Sequence, residues 1–325
     1  MKLFGTHKNI AIVVTVMNEA HTIIGLLDCL RQQSFIAKEI IVTDGGSSDQ
    51  TLSLLKTYQK DHPHFPVEVI TIKGNRSVGR NAAIEAVKSQ LIAVTDAGCY
   101  PRTDWLAELA QEYDSVAKRH PKKSIVIAGY YEGLATTPFE AAVVPYVLVM
   151  PEAVDEKSFL PATRSVLFDK AAWAAVGGFN EQLQINEDYY FARQLVANHQ
   201  IQLGFARQAI VGWVPRHTLS EFTQMIYSYA KGDTAARMFR PKVGLIFVRY
   251  LLGIGVVTGL LVTGSTVAAL LLIAVGLMLY SIWAIKKNYR SAAAGWYYLP
   301  ILQIVSDFAV MTGSVAGLLF KQSQR

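Results

Sequence analysis

The stretch Leu91-Ile92-Ala93-Val94-Thr95-Asp96-Ala97-Gly98-Cys99-Tyr100-Pro101 decides how this chain is read. An apolar run closes on an acid, two small residues and, shortly after, a proline. Short apolar runs bounded by turn formers are buried strands. In an open parallel sheet, ligands bind just outside the carboxyl ends of the strands, and Asp96 stands at such an end. A carboxylate there can hold a divalent cation against phosphates. A strand-end Asp can equally cap the helix that follows. Other acidic stretches that fit the same place favour the first reading.

Upstream, residues 10–16 are a continuous β-branched run, as in a fully buried parallel strand, closed by Asn18-Glu19. Residues 21–30 place Ile23, Ile24, Leu27 and Leu30 at helical spacing. A second buried strand, 39–42, runs to Asp44, and Asp44-Gly45-Gly46-Ser47-Ser48-Asp49 is a turn of glycine and short polar residues. Ser47 and Gln50 have capping-box spacing for a helix over 51–60. Residues 67–72 are a third strand, and Gly79-Arg80-Asn81 opens a helix ending near Lys88. Strand and helix alternate with short links, which predicts an α/β domain with a doubly wound, mostly parallel, Rossmann-like sheet.

Downstream, residues 103–117 form a helix with Trp105, Leu106, Leu109 and Tyr113 on one face, followed by a strand at 124–128. A helix over 138–150 carries Phe139, Val143 and Val147, which suit an apolar groove on the active face or the core. Residues 162–168 are strand-like and carry Arg164. A short helix, 170–176, ends at Gly177-Gly178-Phe179. Glu187-Asp188 begins a helix running to about Asn198. A last strand, 209–214, leads into Pro215-Arg216-His217 and an amphipathic helix over 219–236 containing Tyr229-Ala230-Lys231-Gly232-Asp233.

The 325 residues are 51% hydrophobic and 17% charged, too apolar for an ordinary soluble domain. The excess lies in the tail. From residue 236 on there are nine Lys and Arg and one acid, Asp307, for a net +8. The first 235 residues hold 22 basic and 24 acidic residues, for a net −2, so the formal +6 comes from the tail. A nucleic-acid-binding domain would carry its basic stripe on the folded part, so nucleic acid is excluded as a partner. A tail whose flanks meet anionic lipid fits. Residues 243–263 and 266–285, separated by Gly264-Ser265, are each long enough to cross a hydrocarbon core. A third segment, 296–320, is interrupted by Pro300 and Asp307. Lys286, Lys287 and Arg290, with Arg237, Arg240 and Lys242, place the ends of the hairpin in the cytoplasm; a third span would carry Lys321 and Arg325 outside. Arg249 and Asp307 are expected to pair, because an unpaired charge in the bilayer is expensive. Cys29 and Cys99 read as free thiols in a reducing compartment, and the N-terminus lacks the pattern of a signal peptide.

The ordered set Val14-Thr15-Val16-Met17-Asn18-Glu19, Asp44 to Asp49, Gly79-Arg80-Asn81, Asp96-Ala97-Gly98, Gly177-Gly178-Phe179 and Glu187-Asp188 resembles family 2 glycosyltransferases of the GT-A fold. The resemblance covers residues 8 to about 235. Arg164-Ser165, Pro215-Arg216 and the Tyr229–Asp233 stretch look like the bacterial membrane-anchored members. It implies a GT-A domain over 1–235, a helical membrane segment over 236–325, and residence in the inner (cytoplasmic) membrane with the catalytic domain facing the cytoplasm. The implied reaction is an inverting transfer of one sugar from a nucleotide-sugar, expected to be UDP-linked, to a lipid or lipid-linked glycan.

Under that resemblance Asp96 holds Mg²⁺ or Mn²⁺ on the diphosphate, Glu19 and Asp44 meet the nucleoside, and Arg80 faces the pyrophosphate. Asp188 is the candidate general base, since a sugar hydroxyl is a poor nucleophile until a carboxylate takes its proton, with Glu187 supporting it or binding acceptor. Arg164, Gly178 and Lys231 are further substrate-site candidates. The family usually carries a second acid two residues after the first; here that position is Gly98, and His217 is the candidate replacement ligand. Simple capping for the acids, and an ion pair for Arg80, stay open. The Q-x-x-R-W motif of processive synthases is absent. Two rival readings stand: a polyprenyl-phosphate acceptor, which needs no base, and a non-catalytic subunit of an envelope-glycan assembly.

Overall fold

The computed structural model describes residues 9–156 and 158–319. Phe320, the end of the expected third segment, and the flanking Lys321 and Arg325 lie outside them. Two compact units form, Met1–Leu134 with Glu152–Val214, and Ala135–Pro151 with Pro215–Arg325.

The first unit is built from β1 (Ile10–Val16), α1 (Ile23–Arg31), β2 (Glu39–Asp44), α2 (Thr51–Asp61), β3 (Val67–Thr71), α3 (Arg76–Ala86), β4 (Leu91–Val94), β5 (Cys99–Pro101), α4 (Trp105–Arg119) and β6 (Ser124–Gly133). After the second unit's α5 (Pro138–Val147) come β7 (Val166–Asp169), α6 (Lys170–Ala175), α7 (Glu187–Ala197) and β8 (Ile201–Trp213). One eight-stranded sheet has the order β3-β2-β1-β4-β7-β6-β8-β5. β3, β2, β1 and β4 run parallel, as the apolar runs of β1 and β4 and the alternation of strand with helix predict. The other half is mixed: β7 lies antiparallel to both β4 and β6, and β5 antiparallel to β8, while β6 and β8 are parallel. Apolar side chains fill both faces. Ile10, Ile12, Val14 and Val16 join one core with α1 and α4, and Ala11 and Val13 join the other with α3 and α7. That two-sided burial is why β1 is apolar at every position but Thr15.

Several local expectations shift. α2 forms, but Ser47 does not cap it: the Ser47 hydroxyl donates to Asp44 Oδ1 (2.5 Å), and Thr51 is tied instead to Asp49 (2.5 Å). α3 starts at Arg76, with Asn75 Oδ1 accepting from the Val78 N–H (3.1 Å), so Arg80 lies one turn inside the helix rather than at its mouth. β8 begins at Ile201, well before 209, because it pairs along the whole of β6 across an irregularity at Gly129/Tyr130.

The second unit holds α5, α8 (Leu219–Ala235), α9 (Pro241–Val262), α10 (Thr266–Asn288), a 3-10 turn (Ala293–Tyr298) and α11 (Leu299–Leu319). Three of its helical segments are long and apolar enough to cross a membrane. The expected ion pair forms: Arg249 Nη2 meets Asp307 Oδ2 at 2.7 Å. Asp307 is 2% exposed and also accepts from Tyr250 (3.1 Å), Gln303 (3.1 Å) and Tyr280.

Candidate active site

The carboxyl ends of β1, β2 and β4 lie side by side, with Val16 opposite Asp44 and Val13 opposite Val94. The loops leaving β1 and β2 are stitched together. Asn18, in left-handed backbone (φ 57°), accepts from the Ser48 N–H (2.8 Å) and donates its own N–H to Ser47 Oγ (2.9 Å). The Glu19 N–H donates to Thr51 Oγ1 (2.8 Å). Glu19 Oε2 accepts from Thr22 Oγ1 (2.6 Å). Asp44 is buried and turned onto its own loop, accepting from the N–H groups of Gly46 and Ser47 (3.1 Å each). That is the geometry of an acid holding a turn.

Asp96 follows β4 and stands at the centre of a charge cluster. Arg80, 2% exposed, reaches it with Nη2 (2.7 Å) and reaches Glu187 with Nη1 (2.5 Å). Arg80 Nε has no hydrogen-bond partner among the described residues. The guanidinium expected on a pyrophosphate is therefore spent on two carboxylates. Thr163 Oγ1 donates to Asp96 Oδ2 (3.2 Å). Burial alone would raise the Asp96 carboxyl, but Arg80, Arg164 and Arg76 together hold it below the usual range. Arg164 is set by its neighbour. Ser165 is anchored by Trp105 Nε1 (2.8 Å) and by the Ala209 carbonyl (3.2 Å), and Arg164 lies between the rings of Tyr131 (5.6 Å) and Trp213 (5.5 Å). It sits in a turn before β7, not in the strand itself.

α3 also positions α7. Asn81 Nδ2 donates to the Phe179 carbonyl (2.8 Å), and Asn81 Oδ1 accepts from the Phe179 N–H (2.9 Å). Gly178 (φ 73°) passes over Trp173 and Asn81, a close approach to protein atoms. Asn186, in left-handed backbone, opens α7, and Glu187 is buried against Arg80. Asp188 is half-buried beside it. Burial first, then the negative charges of Glu187 and Asp96, push the Asp188 carboxyl up, against the pull of Arg80 and Arg164. Two neighbouring acids with opposite shifts can divide the work: one stays anionic, and the other is a stronger base once ionised.

Among the described residues no three His, Cys, Asp or Glu side chains gather to hold a metal ion. The Asp96 side chain is 30% exposed. Mg²⁺ is commonly held by one or two carboxylates with substrate phosphates, so Asp96 fits an ion that arrives with a nucleotide, not an all-protein cage. Gly98, where a second acid is expected, has φ 77°, and a Cβ there would lie 4.0 Å from Glu19 Oε2. His217 and Lys231 belong to the second unit. His217 Nδ1 meets Glu140 Oε1 at 2.9 Å, which orients the ring and turns Nε2 away from that bond, the arrangement a metal-binding imidazole would need. Burial opposes it, but the Thr136 N–H and then His217 hold Glu140 down at about 2. Lys231 lies on α8. The Cys99 thiol is pushed up to about 12 by burial and then by Asp96, so it is not a nucleophile.

The sequence reading missed Arg76, Thr163, Tyr131 and Trp213. Arg76 carried a signal, since it precedes Arg80 by one helical turn. Tyr131 and Trp213 come from strands distant in sequence.

Residues 11–138 match the family model for glycosyl transferase family 2. Over this part the chain is similar to family 2 glycosyltransferases. The dolichyl N-acetyl-alpha-D-glucosaminyl phosphate 3-beta-D-2,3-diacetamido-2,3-dideoxy-beta-D-glucuronosyltransferase of Methanococcus voltae is 28% identical over 116 residues, 35% of this chain and 36% of that protein. Succinoglycan biosynthesis protein ExoO of Rhizobium meliloti (strain 1021) is 30% identical over 109 residues, 33% of this chain and 30% of its own. The chain spans about a third of the length of the curated relatives it matches. Mannosyltransferase PcManGT from Pyrobaculum calidifontis, solved with GDP-Man and Mn2+, shares the fold at a TM-score of 0.62 and 16% identity, over 94% of this chain and 88% of its own. The GT-A architecture expected of the glycosyltransferase domain is thereby met.

Proposed function

We propose that this chain is a membrane-anchored inverting glycosyltransferase that moves one sugar from a nucleotide-sugar to a hydroxyl of a lipid or lipid-linked glycan. The observation that carries it is Asp188, a carboxyl raised by its surroundings, beside an Asp96 held anionic at the mouth of the sheet. Asp188 takes the proton of the acceptor hydroxyl, and attack on the face opposite the leaving diphosphate inverts the anomeric centre. Arg80 holds Glu187 and Asp96 in place. The diphosphate is left to Arg76, exposed in the first turn of α3, where the helix N-terminus also favours anions, and to Arg164. A divalent ion on Asp96 would neutralise charge on the leaving diphosphate. A relative whose name describes transfer onto a dolichyl-phosphate-linked sugar supports a lipid-linked hydroxyl acceptor, three long apolar helical segments support a membrane partner, and the Lys and Arg flanking the first two of them support the cytoplasmic side.

Calorimetry tests it. UDP, GDP and CDP are titrated with and without Mn²⁺ into the parent, Asp96→Ala and His217→Ala. Metal-dependent binding of one nucleotide, lost in Asp96→Ala, is expected. The His217→Ala titration tests the ligand role the resemblance implies for that residue. Binding of none of the three would sink the reading in favour of a non-catalytic subunit.

A further inference from the structure

α9 and α11 are both apolar helices, yet they present different surfaces. α9 buries none of its residues. Leu251, Leu252, Ile254, Val256 and Val262 are all exposed, and the stripe of Ile246, Tyr250, Val257 and Leu260 is no more than half-buried. α11 is two-faced. Ile301, Phe308, Thr312, Val315 and Leu319 are exposed, and their spacing of seven, four, three and four puts them on one stripe. The opposite face, with Gln303, Asp307, Gly313, Ser314 and Gly317, is buried. Leu299, Leu302 and Ala309 are buried with them, so the inward face mixes apolar, polar and small residues while the outward face is mainly apolar.

What covers the buried face decides where α11 can lie. Gly313 and Gly317 pack so closely on α8 that a methyl group at either would overlap the carbonyls of Tyr227 and Lys231. Thr234 Oγ1 donates to the Ser314 carbonyl (3.0 Å). At the other end, the Tyr146 hydroxyl donates to the Leu299 carbonyl (2.9 Å). α8 cannot enter hydrocarbon. It carries Glu221, Gln224, Lys231 and Asp233, the last ion-paired with Arg240 (2.6 Å). If α11 crossed the bilayer, its C-terminal half would draw Lys231 and the Asp233–Arg240 pair in with it, and charged side chains at the bilayer centre are expensive. Trp296 and Tyr297, exposed just before α11, are residues of a membrane–water interface.

We infer that α11 does not cross the membrane. It lies along the bilayer surface beside α8, with the stripe from Ile301 to Val315 in the acyl layer and Leu319 at its aqueous rim, and the chain stays on the side of the catalytic unit. The lipid surface is thus the partner of this face. The inference rests on the membrane reading of the second unit and not on sugar transfer, and sidedness is measured without any transfer assay.

The test uses the full chain in a bacterial host, on a Cys29→Ser/Cys99→Ala background. Leu319→Cys and, in the catalytic unit, Lys122→Cys are labelled with a membrane-impermeant maleimide before and after permeabilisation. The two positions are expected to behave alike, blocked in intact cells and labelled once permeabilised. Labelling of Leu319→Cys in intact cells, with Lys122→Cys still blocked, would overturn the inference. Should the thiol at 319 stay unreactive throughout, a fluorescent protein and an alkaline phosphatase fused after Arg325 decide: fluorescence supports the surface helix, and phosphatase activity sinks it.

Discussion

Two buried clusters in this molecule are each built around an arginine and an aspartate, one at Asp96 and one at Asp307. At Asp307, one carboxylate receives Arg249, Tyr250, Tyr280 and Gln303. Donors outnumber the acid, and three helices are tied by it. Around Asp96 the balance is reversed. Arg80 is shared by Asp96 and Glu187, and Asp188 stands beside them with its carboxyl pushed up. A satisfied cluster secures structure. A cluster with like charges crowded together stores an imbalance that a reaction can use.

Replacing Asp188 by Asn is the hardest blow to that contrast. Transfer should fall about 10²–10⁴-fold, with nucleotide affinity kept within a few-fold and the melting midpoint raised, because one crowded carboxylate is gone. Retained activity would move the protein to an acceptor that is already an anion. Next in size, Arg80→Met should cost about 3–5 kcal/mol in a denaturant titration, since it strands buried carboxylates. Arg249→Met should cost less, about 1–3 kcal/mol, because Asp307 keeps three neutral donors. If the two losses are equal, the distinction between the clusters fails. The double variant Arg249→Met/Asp307→Leu should recover most of its single-variant loss, and Arg80→Met/Glu187→Leu should not, with Asp96 and Asp188 still uncompensated.

The smallest effect is on pH. Asp188 works as a base only when ionised, so kcat/KM should fall as the pH drops through its raised value, above the ~3.9 of an ordinary Asp. Glu187→Gln removes a negative neighbour, which lowers the Asp188 value and should carry the acid limb of the profile to lower pH. An unmoved limb would assign the titration to another group.

Much of this architecture was legible in the sequence because parallel strands buried on both faces leave unbroken apolar runs. Residues 10–16 and 91–95 announced β1 and β4, and the acids after them followed. Antiparallel β7 and the long β8 carry weaker patterns, since their pairing is set by strands far away in sequence. Arg80 was singled out, but its carboxylate partners lie 16 and 107 residues away, and no spacing rule joins them. The capping box at Ser47 misled because Asp44 competes for the same hydroxyl. In the tail, composition left the third segment open between spanning and not spanning; only the packing of α11 on α8 shows which of its faces is buried.

The tie between Arg249 and Asp307 also has a schedule. The two residues are 58 positions apart. At a synthesis rate of about 5–20 residues per second, the arginine waits roughly 3–12 s before its carboxylate has been made. During that interval α9 must stay put with a lone guanidinium. The residue sits eight positions past the start of α9, about 12 Å along the axis, where a long side chain can still bend back toward water. The same pair placed deeper would be just as well matched in the finished protein and far harder to assemble.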